Sequence, residues 1–485
     1  MAMAQLYTDY ILAQSKRNPC LENLCRFVKD DTARANCKVA CLEFSNSEKQ
    51  PYRKDLTLLE LERLVNTDVD HCHGRLIIIE DLSRPIIEVL GSALDIDPFF
   101  FAAHLHGPSV EIQSGKPSTV MLPSRIHAQD FLSLQYQRSI DFGTNLKAPR
   151  KLSRDSNVPR KVVVLPPVKN IYIGLEQNSC SVLLTRTRSK AWLGNRPHTS
   201  GDNANPKQGL ILVDSPNSDR YTSPEKQIIL PSQPFQGGYE DFSRRSSFLE
   251  PDSGYPGRVS LLEDLVYYWE KDTPPSFDQT QPSLLALSYY PLKVAAAEWV
   301  NYVAVMSHSI KQYEYSTDAP AEKHGLSRID SDLRSLEIWG RRCLQTSDKL
   351  QSTIEFLRQR TEGLSGLEEY PLIIRDFNHI SAAVETYGHR LEIMVPVVTS
   401  VLQIADTRRS LREAANVTRL TNLALLFVPL SFVASLFSMN GGVSRHDLAI
   451  YAAVAIPMCV VVFFIARLPI FELDIFGSLF RKMKG

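Results

Sequence analysis

Near the C-terminal end of the chain, Ser431, Ser435 and Ser438 follow one another at four- and three-residue steps inside an otherwise apolar run, and Met439 and Asn440 come next. That spacing sets three hydroxyls on one face of a helix. The Gly441-Gly442 pair beyond them is a helix stop. A helix end of this kind carries about half a negative charge on its unpaired carbonyls, and an amide beside it can accept hydrogen bonds from the water shell of a cation without the full charge that would trap the ion. Small polar residues also serve close helix packing, with hydroxyls bonded to their own backbone. The stripe therefore points to oligomerisation more directly than to conduction.

The elements that must hold these residues are set by charge. No ionisable side chain occurs between Arg419 and Arg445, a run of 25 residues, which as a helix spans about 37 Å against a hydrocarbon core of roughly 30 Å. A second run, Leu448 to Ala466, is also uncharged and 19 residues long. Each carries a central proline, Pro429 or Pro457, which a membrane helix tolerates because neighbouring helices satisfy the freed carbonyls. Arg408, Arg409, Arg412 and Arg419 precede the first span, and Arg467, Arg481, Lys482 and Lys484 follow the second, with Arg445 alone between them. This asymmetry predicts a multi-pass protein with both termini in the cytosol. The four leading arginines read as positive-inside anchors, or as an electropositive collar unless Asp406 and Glu413 pair with them.

The run Pro429 to Asn440, PLSFVASLFSMN, followed by a seven-residue loop and a final span, resembles the first transmembrane helix of the CorA metal-ion transporter superfamily. The family signature there is Gly-Met-Asn, and Ser438 stands in place of the glycine, as Ser435 does where many members have another small residue. The resemblance implies a fungal-type member and a homopentamer with a cytosolic α/β domain, a long stalk helix and a pore lined by the first span. It implies a filter at Asn440, which would meet the metal through water, and a pore face of Met439, Ser438, Ser435, Ser431 and Val428. Arg408, Arg409, Arg412 and Arg419 would then ring the inner mouth. The transported ion would be Mg2+ or another divalent cation, with no bound cofactor, in the plasma membrane. Two alternatives stay open: a non-conducting, membrane-anchored sensor or scaffold, and a Zn2+ transporter of the ZntB kind.

Composition narrows the field. Lys plus Arg and Asp plus Glu both number 54, so no nucleic-acid partner is implied. Eight scattered cysteines fit reduced thiols better than a disulfide framework. Cys20, Cys25, Cys37 and Cys41, with His71-Cys72-His73, match no standard zinc finger. Walker, HExxH, G-x-S-x-G and dinucleotide patterns are missing, so an enzyme is not expected.

An α+β architecture follows from the pattern. Residues 1–74 read as an N-terminal extension and 75–260 as an α/β domain, with the first core strand at Leu76 to Ile79. A helix from Pro85 to Leu94 comes next, then one starting at Pro98 behind an Asp97 cap. Further strands are expected at 161–165, 171–175, 181–187 and 209–213. The Pro- and Ser-rich stretch at about 190–260 reads as a mobile loop, with Ser246 and Ser247 beside two arginines resembling kinase sites. Helices fill 261–365, chiefly Leu284 to Tyr315 and Ile329 to Arg360. A stalk at 366–419 runs into a first span at 420–440, a loop at 441–447, a second span at 448–466 and a tail at 467–485. In the stalk Ile380, Val384, Tyr387, Leu391, Met394, Val398, Leu402 and Ala405 form a heptad seam. Packing on the two preceding helices explains at least part of it.

Overall fold

The computed structural model describes residues 6–30, 37–45, 50–66, 72–106, 125, 129–144, 151–167, 170–186, 207–223, 227–243, 256–279, 282–317, 326–362, 368–438 and 445–467. The chain divides into two units, residues 1–318 with 335–394 and residues 319–334 with 395–485. Helices α1 (Tyr7–Ser15) and α2 (Glu22–Lys29) lead into strands β1 (Lys38–Ser45) and β2 (Tyr52–Leu56), helix α3 (Leu58–Asn66), strand β3 (Cys72–Glu80) and helices α4 (Arg84–Leu94) and α5 (Pro98–Leu105). Eight strands follow: β4 (Phe131–Asp141), β5 (Lys151–Arg154), β6 (Lys161–Val164), β7 (Ile173–Arg186), β8 (Lys207–Val213), β9 (Arg220–Thr222), β10 (Gln227–Ile229) and β11 (Gln233–Pro234). The remainder is helical: α6 (Leu261–Lys271), α7 (Leu284–Thr317), α8 (Leu326–Thr361), α9 (Tyr370–Ser438) and α10 (Arg445–Arg467).

The strands form one sheet in the order β10-β9-β5-β6-β7-β8-β3-β1-β2, with β4 paired to both β7 and β11. Strand β7 is its hub. Its first half pairs with β6, its second half with β8, and nearly its whole length with β4. The β3–β8 pair is parallel and the other described pairs are antiparallel. Alternation along the strands divides the apolar side chains between two faces. Val39, Cys41, Ile77, Ile79, Leu210 and Leu212 pack under α1 to α5. The intervening positions are buried as well, and from that opposite set Phe44 meets Trp269 of α6.

The core begins earlier than the sequence suggests. Within residues 1–74, Tyr7, Ile11, Leu21, Leu24 and Val28 lie in the main core, and β1 and β2 complete the sheet edge. Glu88 of α4 accepts hydrogen bonds from the Thr8 amide and hydroxyl, at 2.9 and 2.6 Å, at the start of α1. The Tyr7 ring lies so close to Gly91 that a β-carbon there would sit 2.2 Å from it. Only glycine allows α1 to dock on α4 in this way. Asp97 caps α5 as expected, accepting from the Phe99 amide at 3.0 Å. The expected strands at 171–175 and 181–187 lie on one continuous strand, β7, and a further strand, β5, precedes Lys161.

Within the stretch at about 190–260, the described segments pack on the rest of this unit. Tyr221, Tyr239 and Arg258 are buried, and the Arg258 guanidinium lies 4.2 Å from the centre of the Tyr239 ring and 3.5 Å from Asp264. Residues 190–206 and Ser246 and Ser247 lie outside the described residues. In the helical part of this unit, α7, α8 and the start of α9 pack together. Thr346 donates to the Tyr302 hydroxyl at 3.4 Å, Gln351 to Ser381 at 3.2 Å and Tyr387 to Ser307 at 2.6 Å. Ile380, Val384 and Leu391 of the seam are buried by this packing within one chain.

Candidate functional site

In the second unit, the stretch of α9 from Leu420 and the greater part of α10 are apolar and outward-facing. Among the described residues α9 is long and apolar enough to cross a membrane, and Ala449–Phe464 of α10 is a shorter apolar stretch. Leu420, Leu423, Phe427, Val428, Phe432 and Leu436 are all more than half exposed, as are Ile456, Val461 and Phe464. Water-facing surfaces rarely carry an apolar patch of this extent, whereas lipid or neighbouring helices would cover it at no cost.

The two helices meet through Val433 and Ala455, which are 2% and 1% exposed. Tyr451 donates its hydroxyl to the Leu430 carbonyl at 3.3 Å, and the Cys459 thiol lies 3.7 Å from the Leu426 carbonyl. Both contacts fall in the turns beside Pro429, which has no N–H to give its own turn. Sequence reading missed these two polar groups, whose significance depends on where α10 lies.

Helical geometry fixes where the hydroxyl stripe points. At about 100° per residue, with Pro429 as zero, Val433 sits near 40° and Leu430 near 100°, toward α10. Ser438, Ser431, Ser435 and Val428 fall near 180°, 200°, 240° and 260°, on the opposite side. All four are exposed. Ser431 donates its hydroxyl to the Phe427 carbonyl at 2.8 Å, which leaves its oxygen lone pairs as outward acceptors. Met439 and Asn440 lie outside the described residues. Arg408, Arg409, Arg412 and Arg419 are exposed on α9, and Arg409 is paired with Glu413 at 2.9 Å. An exposed pair one helical turn apart contributes only about 0.3–0.5 kcal/mol, but it halves the net charge of that pair's turn.

The first unit contains an arrangement that invites an enzymatic reading. Ser181 Oγ is 3.2 Å from His104 Nδ1, and Asp214 Oδ1 is 3.6 Å from His104 Nε2. His104 and Ser181 are both 0% exposed, so no substrate reaches them. Asp214 is instead held by two charge-assisted bonds from Arg160, at 2.9 and 2.8 Å, and by the Ser179 amide at 2.6 Å. The cluster is structural.

It carries a pH signature. Burial lowers the His104 pKa from 6.5 to about 4, with Asp214 opposing and Arg160 reinforcing the shift. Protonation then favours the unfolded chain, so its contribution is intact above about pH 6.5 and is lost as pH falls toward 4, at about 1.4 kcal/mol per unit. The His104→Gln variant is expected to lose less stability than the native chain between about pH 7 and 4.5. Thermal unfolding at the two pH values reads this, and an unchanged difference would contradict it.

Among the described residues no group of three or more His, Cys, Asp or Glu side chains could hold a metal. Cys20, Cys25, Cys37, Cys41, Cys180, Cys343 and Cys459 are free thiols, and burial pushes the Cys37 thiol up to about 12.

Comparison with known proteins adds the following. Residues 292–473 match the family model of the CorA-like Mg2+ transporter protein. No curated protein sequence matches the chain. Among solved structures, the CorA magnesium transporter from Methanocaldococcus jannaschii is 8% identical with a TM-score of 0.39. The full-length CmaX protein is 11% identical with a TM-score of 0.41. Each alignment covers 90% of this chain and 98% of the other.

Proposed function

Taking residues 292–473 as a CorA-like Mg2+ transporter domain, we propose that the chain is a membrane transporter of divalent cations, with Mg2+ the preferred ion. In this reading it assembles as a homopentamer, and α9 of each copy contributes Val428, Ser431, Ser435 and Ser438 to a shared axis. Met439 and Asn440 stand at the outer mouth. The observation that carries the proposal is the exposure of the hydroxyl stripe on the side of α9 opposite α10. An outward row of acceptors on an apolar helix is unfavourable in lipid, and rotational symmetry removes it by turning the rows toward each other.

The helix end matters to the filter. Two residues beyond Ser438, a continuing helix would turn Asn440 about 200° away from the stripe, toward α10. In this reading the Gly441-Gly442 pair is the helix stop that lets the chain turn Asn440 toward the axis. A ring of amides there accepts hydrogen bonds from the waters of the ion, and the neighbouring helix ends add negative potential. The charge asymmetry supports a topology with both termini in the cytosol, and we take the plasma membrane as the host bilayer.

The test is uptake of Mg2+, Zn2+, Co2+ and Ni2+ into dye-loaded proteoliposomes, together with the mass of the detergent-solubilised assembly. Saturable uptake by a pentamer supports the proposal, and a non-conducting monomer or dimer overturns it. One observation favours a second reading, in which the chain is a non-conducting anchored sensor: Ser438 puts a side chain where the family signature has glycine. Under that reading the Ser438→Gly variant gains flux that the native protein lacks. Under the transport reading it changes the rate of a flux already present.

A further inference from the structure

We propose that the first unit binds a tetrahedral oxyanion, the phosphoryl group of a small molecule or inorganic phosphate, in a cavity between the sheet and helices α7 and α8. The cavity measures about 140 Å3 and is lined by Lys161, Arg342 and Lys349 together with Gln137, Gln177 and Tyr302 among others. Its floor is set by strand register. Gln137 of β4 pairs with Gln177 of β7, and Val163 of β6 with Leu175 of β7, so both pairs line the same cavity. The roof comes from Trp299 and Tyr302 of α7 and from one face of α8, where Arg342, Gln345, Thr346 and Lys349 recur at three- and four-residue steps.

Three cations and no carboxylate line the cavity. Burial lowers the pKa of Lys349 to about 8, with Arg160 adding repulsion. The Arg342 pKa is lowered by burial, and that of Lys161 by burial, Lys151 and Arg342. Positive charge drawn together out of water in this way is unfavourable unless something negative joins it.

Two unsatisfied donors point to the same conclusion. Gln177 is 7% exposed and its Nε2 has no hydrogen-bond partner, and Arg342 Nη1 is buried without one. The Arg342 guanidinium lies 5.0 Å from the centre of the Trp339 ring, which satisfies one flat face and none of its N–H groups. A phosphoryl group has the charge for three cations and the acceptor oxygens for the spare donors. The inference is independent of ion transport, since every residue it uses belongs to the first unit.

The experiment is thermal unfolding and titration calorimetry of the full-length detergent-solubilised protein with inorganic phosphate and with glycerol 3-phosphate, against sodium chloride at equal ionic strength. Either anion is expected to raise the unfolding temperature in a concentration-dependent way that chloride does not reproduce. Binding of either supports the site, and the tighter of the two identifies the source of the phosphoryl group. Arg342→Gln is expected to weaken binding at least about tenfold, as loss of a charged hydrogen-bonding partner does. Should that variant not fold, Lys349→Gln carries the test, with comparable weakening and no loss of anion-free stability. The proposal is overturned if neither anion binds above the chloride control, or if binding is unchanged in the folded variants.

Discussion

Replacing Asn440 by alanine is expected to cut Mg2+ uptake into proteoliposomes by at least about a hundredfold while the oligomer remains assembled. A hydrogen bond to a charged partner is worth about 1.5–3 kcal/mol, and symmetry makes one substitution remove several such acceptors from the ring at once. Assembly should survive because the face of α9 that meets the other copies in this reading, Val428, Ser431, Ser435 and Ser438, is unchanged, as is the α9–α10 packing through Val433 and Ala455. Asn440→Asp should fail differently. A ring of carboxylates would hold a divalent ion strongly, so binding would tighten and turnover would fall. Uptake rates and assembly mass measured on the same preparations check both variants. Full uptake by Asn440→Ala would remove the amide from the mechanism.

The second large effect concerns folding. Arg154 and Glu176 are 1% and 0% exposed and form an ion pair, in which Arg154 Nη2 donates to Glu176 Oε2 at 2.7 Å and to Asn217 Oδ1 at 2.8 Å. Arg154 also donates to the Pro216 carbonyl. One guanidinium thus ties β5, the hub strand β7 and the segment after β8 together. Arg154→Met leaves Glu176 buried without its cation, which costs about 3–5 kcal/mol. Arg154→Met with Glu176→Leu removes both charges and should recover most of that loss, since replacing a buried pair by apolar groups is often neutral. Tryptophan fluorescence is a suitable probe, because Trp269, Trp299 and Trp339 all belong to the first unit. A double variant no more stable than the single one would show that Arg154 acts through packing rather than charge.

What the sequence disclosed and what it hid differ for physical reasons. Long helices were legible because their apolar steps repeat over many turns: the stretches expected at 284–315 and 329–360 are α7 and α8 to within three residues. Strand β4 has clean alternation at Leu132, Leu134 and Tyr136, yet its polar positions Arg138 and Ser139 are buried, Arg138 against Glu298 at 3.2 Å. An ion pair spanning 160 residues leaves no local signal. The packing of the described segments at about 190–260 left no pattern for a related reason. Their composition is poor in apolar residues, but order there comes from a few aromatic rings and the buried Arg258.

For the candidate site, the hydroxyl stripe was visible in residue spacing alone, whereas its exposure on the side opposite α10 required the partner helix to be in place. The heptad seam could not reveal its own partner. Burial of Ile380, Val384 and Leu391 within one chain assigns that part to α7 and α8, while Leu411 and Val417 beyond it are exposed. The basic cavity was invisible in sequence, since Lys161 and Lys349 are 188 positions apart.

The most direct test of the central claim, that the serine face of α9 lines the ion path, is thiol accessibility during transport. Ser435→Cys and Phe432→Cys proteins would be reconstituted and Mg2+ uptake followed before and after a charged methanethiosulfonate reagent, with the native protein as control for its own cysteines. Ser435 lies on the outward stripe, and Phe432 is about 60° round the helix from Ser435, outside the stripe and toward lipid. The account predicts that the reagent blocks uptake through Ser435→Cys and leaves Phe432→Cys and native uptake unchanged. Uptake that survives modification at Ser435→Cys, or that is blocked only through Phe432→Cys, would contradict it.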